Sequence, residues 1–170
     1  MIKLLLGCLL LLQVGVSSAE TRDVGQYFFD QKLGDFKAEL ANAKSSGKTG
    51  VLLMFETEDC PFCYRMKQTV LNQSQVQDYF RSHFLIFNVD TRGAEPMVDF
   101  KGKNTTEKDF SAENRARATP TFIFYGLDGN QLTRLTGATK DAHEFMQFGH
   151  YVVDGGYKTT SFVKFKQANP

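Results

Sequence analysis

The chain has 170 residues, 42% of them apolar, and a net charge of +1 from 20 Lys and Arg against 19 Asp and Glu. That length suits one ordinary domain, and the apolar share is too high for general disorder. The charge balance argues against a nucleic-acid binder, which needs a basic surplus to meet phosphates.

Residues 1–19 read as a secretory signal peptide. Lys3 leads, an apolar run follows from Leu4 to Leu12, and Ser17, Ser18 and Ala19 form a small-residue exit. The run is too short for a membrane span of about 20 residues. The mature chain, 20–170, is therefore expected to be one exported domain without stable membrane insertion after cleavage, periplasmic if the source is bacterial. Cleavage removes Cys8 and leaves Cys60 and Cys63 in a compartment where disulfides form.

Along the mature chain, Asp30 to Ser46 has helical spacing at Leu33, Phe36, Leu40 and Ala43, with Gly47 as a stop. Gly50 to Glu56 is an apolar run without alternation, which suits a strand buried on both faces. Cys60 to Leu71 reads as a helix with Pro61 in its first turn, where a missing N–H costs nothing. Ser74 to Phe84 continues it or forms a second helix, and Phe84 to Asp90 is a second buried strand. The polar stretch 93–109 reads as an irregular surface loop inserted in the domain. Phe110 to Arg117 has room for one or two helical turns. Thr121 to Tyr125 and Gln131 to Thr136 read as strands joined at Asp128-Gly129. Asp141 to Val153 is the last helix expected, within a domain core of about 30–153. Two strands joined through a helix run parallel. Adding the hairpin makes a mixed central sheet with helices on both faces, an α/β fold.

Chemistry is concentrated at Cys60-Pro61-Phe62-Cys63, between a buried strand and a helix start. The reactive form of cysteine is the thiolate, and a helix N-terminus offers it free N–H groups and a positive dipole. Cys60 at the cap is expected to be exposed and to attack a substrate disulfide. Cys63, one turn on and shielded, is expected to displace the resulting mixed disulfide. Glu58 and Asp59 disfavour the thiolate, while Arg65 and Lys67 favour it. A structural zinc site wants four ligands, and one cysteine pair with scattered His83, His143 and His150 does not supply them. A purely structural disulfide gains little from so short a loop. Thr119-Pro120 stands just before a strand. A cis bond there would turn the Thr119 backbone toward the cysteines to pair with an extended substrate, and an ordinary trans proline is the alternative.

A strand running into CPFC, TPTF opening a later strand, the Asp128-Gly129 hairpin and a closing helix together resemble the thioredoxin superfamily over about residues 50–153. The stretches MFETEDCPFCYRMK, ATPTFIFYGLDG and TGATKDAHEF are similar to secreted bacterial thioredoxin-like proteins, including those of sulfur-oxidation gene clusters. The resemblance implies a thioredoxin fold and a thiol:disulfide oxidoreductase, with Cys60 as nucleophile, Cys63 as resolving thiol and Pro120 in cis. It places Pro61, Phe62, Thr119 and Pro120 at the substrate surface. It also implies protein disulfides as substrates, a reducing direction with electrons from a membrane thiol reductase, and no cofactor beyond the cysteine pair.

The chain departs from thioredoxin in three ways. Asp59 stands where thioredoxin has Trp, Pro61-Phe62 replaces Gly-Pro, and Met54 occupies the position of a buried Asp that accepts a proton. Glu56, on the same strand face as Met54, is the candidate substitute, against a plain solvated carboxylate. A disulfide oxidase or isomerase, a glutaredoxin-like enzyme suggested by the Pro-Phe pair, and a non-catalytic peptide-binding module are the competing readings.

Overall fold

The computed structural model describes residues 20–170, so the signal-peptide reading of residues 1–19 lies outside the described residues. The chain order is α1 (Val24–Tyr27), α2 (Phe36–Ser45), β1 (Gly50–Glu56), α3 (Pro61–Thr69), α4 (Ser74–His83), β2 (Phe84–Asp90), β3 (Pro96–Val98), β4 (Asn104–Thr106) and α5 (Glu107–Glu113). It continues with β5 (Thr121–Gly126), β6 (Gln131–Thr136), α6 (Ala142–Val153), a 3-10 turn at Gly156–Lys158 and α7 (Phe162–Ala168).

Four strands form the sheet in the order β2-β1-β5-β6. β1 is parallel to β2, with Gly50 beside Phe84 and Glu56 beside Asp90. It is antiparallel to β5, where Phe55 pairs with Thr121. β6 closes the hairpin, and Gly129 takes a φ of +75° there while Asp128 accepts the Asn130 N–H at 3.0 Å.

Successive side chains of a strand point to opposite faces, and β1 uses this to build two cores. Leu52 and Met54 pack with Met66, Phe80, Phe145 and Phe148 on one side. Val51, Leu53 and Phe55 pack with Phe36, Leu40, Phe87 and Phe110 on the other. Every residue of β1 is buried, as an uninterrupted apolar run requires. Each of the large side chains contributes roughly 1.5–3 kcal/mol of burial free energy. Among the described residues no helix is long and apolar enough to cross a membrane.

Three segments differ from the sequence reading. The helix expected from Asp30 begins at Phe36, because Asp35 caps it by accepting the Ala38 N–H at 2.9 Å. Leu33 is left outside, 71% exposed. Segment 93–109 is not irregular. It carries the β3–β4 hairpin and the first turn of α5, and it buries Met97, Phe100 and Glu107. The tail continues past α6 into α7, whose Phe162 ring lies 5.0 Å from Phe148 and 5.5 Å from Tyr151.

Candidate active site

Strand β1 ends at Glu56, and a short turn delivers Cys60 to the start of α3. Cys60 is the N-cap, and Pro61 fills the first helical position. The two sulfurs are bonded, with Cα atoms 5.2 Å apart, and the Cys63 N–H donates to Cys60 Sγ at 3.0 Å. A donor in that place also suits a thiolate, since a helix start leaves its first N–H groups without intrahelical partners.

The expected exposure of Cys60 needs correction: it is 6% exposed, and Cys63 is 2% exposed. Both cysteines join the apolar cluster of Met54 and Met66 on one sheet face. The surface above is open, and Phe62 and Tyr64 stand 59% and 67% exposed there.

A cavity of about 360 Å³ opens beside the disulfide, lined by Glu56, Cys60, Cys63, Tyr64, Lys67 and Asn88 among others. Glu56 is not a solvated carboxylate, being 8% exposed. Its Oε1 accepts from Asn88 Nδ2 at 2.9 Å, and its Oε2 is 2.6 Å from Lys67 Nζ. The cavity therefore holds two cysteines and a carboxylate with both oxygens engaged.

Three of the four charges weighed from sequence have partners. Arg65 donates to the carbonyls of Thr139 at 2.8 Å and Lys140 at 3.4 Å, tying α3 to the segment before α6. Lys67 is committed to Glu56. Glu58 and Asp59 face water, and Asp59 is paired with Arg92. The side-chain hydrogen bond from Arg92 is the main cause holding the Asp59 carboxyl below the usual range.

The Thr119–Pro120 bond is cis. Pro120 is buried and Thr119 half-buried. The pairing of Phe55 with Thr121 sets them at the same end of the sheet as Glu56. The Pro120 carbonyl accepts the Gly137 N–H at 2.8 Å, and Thr121 Oγ1 donates to the Ala118 carbonyl at 2.7 Å. His143, His150 and Arg117 are exposed and do not line the cavity.

Lys67, Asn88 and Arg92 were not singled out for these contacts from sequence. Two of them carry a readable signal: Lys67 follows Cys63 by four residues and so shares its helix face, and Asn88 interrupts the apolar run FLIFNVD.

The model of the thioredoxin-like domain matches residues 36–152. The chain belongs to the thioredoxin-like family. Solved structures of similar shape include a thioredoxin-fold protein from Helicobacter pylori at 20% identity and TM-score 0.61, covering 73% of this chain and 88% of that one. A proposed disulphide isomerase from Bacteroides thetaiotaomicron matches at 25% identity and TM-score 0.57, over 74% and 93% of the two chains. A thioredoxin from Thermus thermophilus matches at 24% and 0.56, over 70% and 84%. No curated protein matches the sequence with significance. The mixed four-stranded sheet of this thioredoxin-like protein is the thioredoxin fold, and with the Cys60–Cys63 disulfide it supports thiol–disulfide oxidoreductase chemistry in general.

Proposed function

We propose that this thioredoxin-like protein is an exported thiol:disulfide oxidoreductase that reduces disulfides in proteins. The Cys60–Cys63 disulfide at a helix start, opening on a cavity that also holds a buried carboxylate, carries this reading. In the reduced enzyme the Cys60 thiolate attacks a substrate disulfide, forming a mixed disulfide and releasing one substrate thiolate. Cys63 gives its proton to Glu56, and its thiolate then attacks Cys60 Sγ. The Cys60–substrate bond breaks, the second substrate thiolate leaves, and the Cys60–Cys63 disulfide forms. Two electrons pass from the dithiol to the substrate; Glu56 passes the Cys63 proton to one departing substrate thiolate, and water protonates the other.

Phe62 and Pro61 at the rim, with Thr119 and Pro120, form the surface on which an extended protein segment rests, the Thr119 backbone pairing with it as an added strand. The signal-peptide reading places the enzyme outside the cytoplasm, in the periplasm of a bacterium, where a membrane thiol reductase returns electrons to the pair.

Turnover of insulin disulfides by the purified chain tests the activity: the wild type reduces them with a dithiol donor, and Cys60→Ser does not. A peptide-binding module would show no such dependence on Cys60. Equilibration with a dithiol buffer tests the direction. A reductant lies near the thioredoxin value of about −270 mV, and a strong oxidant near about −120 mV. An intermediate potential with scrambled-disulfide repair would favour isomerisation, the activity proposed for the Bacteroides neighbour.

A further inference from the structure

We infer that Lys67 is a positioning residue for the second half of the reaction, holding Glu56 in place as the proton acceptor for Cys63. This rests on the reading of Glu56 as that acceptor. The two oxygens of Glu56 have separate partners, Asn88 Nδ2 at 2.9 Å and Lys67 Nζ at 2.6 Å. Lys67 lies one helical turn beyond Cys63 on α3, so the helix that carries the resolving sulfur also carries the cation that holds its base. The Lys67 ammonium lies over the Phe29 ring, 5.8 Å from its centroid, which restricts where it can swing.

The charges facing Glu56 explain why a cation is needed. Asp90 is its register partner on β2, and Glu58 lines the same cavity from the turn before Cys60. Tyr64 adds a phenol, and Lys67 is the sole cation among the residues lining the cavity. Lys32 approaches from behind, but it bonds the Asn88 carbonyl at 3.3 Å and is paired with buried Glu107. Arg92 is taken by Asp59. A buried carboxylate set beside two others is held in place by a cation, and Lys67 is the cation that meets it.

The resolving step can be watched alone. Cys60 of the reduced protein attacks DTNB, releasing one TNB and keeping the other in a mixed disulfide, and stopped-flow absorbance follows the second TNB, released in a phase independent of DTNB concentration as Cys63 attacks. With Lys67→Met the rate at neutral pH is expected to fall about tenfold, with its pH profile displaced from that of the wild type. That is well inside the effect of losing a general base. Lys67→Gln shows the same shift, and Lys67→Arg restores the wild-type profile. Glu56→Gln slows the step at least as much, and adding Lys67→Met to it changes nothing more.

A wild-type profile in Lys67→Met or Lys67→Gln, with Glu56→Gln still slow, overturns the role of Lys67 and leaves Glu56 as the base. A wild-type profile in Glu56→Gln removes the base and this inference with it. Equal further slowing by Lys67→Met in the Glu56→Gln background shows the ammonium acting on sulfur directly, which also overturns the inference.

Discussion

Arg92, in the turn after β2, holds Asp59, the residue immediately before Cys60, through one nitrogen 3.0 Å and 3.1 Å from the two carboxylate oxygens. Both side chains are largely in water, at 70% and 66% exposed, so the pair adds little to folding. Its effect falls on the adjacent sulfur, because Arg92 offsets a negative charge one residue from the nucleophile. Arg92→Ala is expected to slow alkylation of reduced Cys60 by iodoacetamide about two- to threefold in dilute buffer, and Asp59→Asn to leave it unchanged or faster. The difference should vanish near 1 M salt, where the screening length is about 3 Å. Identical rates for Arg92→Ala and wild type in dilute buffer would show that the Asp59 charge does not reach the sulfur.

Phe62 and Tyr64 flank Cys63 on the open side of α3, 59% and 67% exposed. Apolar side chains held in water beside a reactive pair gain free energy when a protein substrate covers them, at most about 1.5–3 kcal/mol each. Replacing both with Ser is expected to lower kcat/KM for insulin about tenfold, which corresponds to about 1.4 kcal/mol. Reaction with DTNB, too small to cover them, should keep its rate. A parallel loss on both substrates would assign the two rings to the integrity of α3 instead.

How much of this was readable depends on whether a feature is decided locally. GVLLMFE and FLIFNVD announce themselves because a strand covered on both faces has no reason to alternate, and both became neighbouring strands. Pro61 after Cys60 marked the helix start, and the structure caps α3 there. The β3–β4 hairpin could not be read in the same way. Its strands are three residues each, one of them Asn104-Thr105-Thr106, and their order comes from contacts such as the Val98 N–H to the Gly34 carbonyl at 2.7 Å. Likewise α7 has only seven residues and is held by Phe162 and Phe165 against Tyr151. At the site, Glu56 was legible as a carboxylate on the right strand face. Its burial was not, since that depends on where Asn88 and Lys67 arrive from other elements.

Gly149 lets α6 pack closely against α4. A Cβ there would stand 2.7 Å from Tyr79 Cε1 and 2.9 Å from Phe80 Cζ. In an exposed helix Ala would be favoured over Gly by about 1 kcal/mol. Here the Phe80 ring is fully buried and stacked 4.5 Å from Phe145, so it has nowhere to move, and overpacking of this kind costs about 1–3 kcal/mol. The steric cost wins. Gly149→Ala is expected to lower Tm by a few degrees, at roughly 2–4 °C per kcal/mol for a chain of this size. Calorimetry of the oxidised protein checks it, and an unchanged or higher Tm would mean that the two helices separate easily.

The same contact makes the fold sensitive to alkali. The Tyr79 ring lies between His83 at 4.8 Å and His150 at 4.5 Å, with its hydroxyl 3.1 Å from His150 Nδ1. Burial, helped by the charge of Asp154, pushes its phenol up to about 12, against about 10 in an unfolded chain. A raised phenol means that the unfolded chain ionises first. The contribution to stability is complete below pH 10 and is lost as pH climbs from there toward 12. Tyr125, raised in the same direction by deeper burial, adds to this loss. Urea unfolding of the wild type should therefore show stability falling as pH rises from about 10, the ordinary phenol value, toward about 12. Tyr79→Phe should flatten the fall in part, and Tyr79→Phe with Tyr125→Phe should flatten it further. If both variants fall as steeply as the wild type, the lysines rather than the buried phenols govern unfolding in alkali.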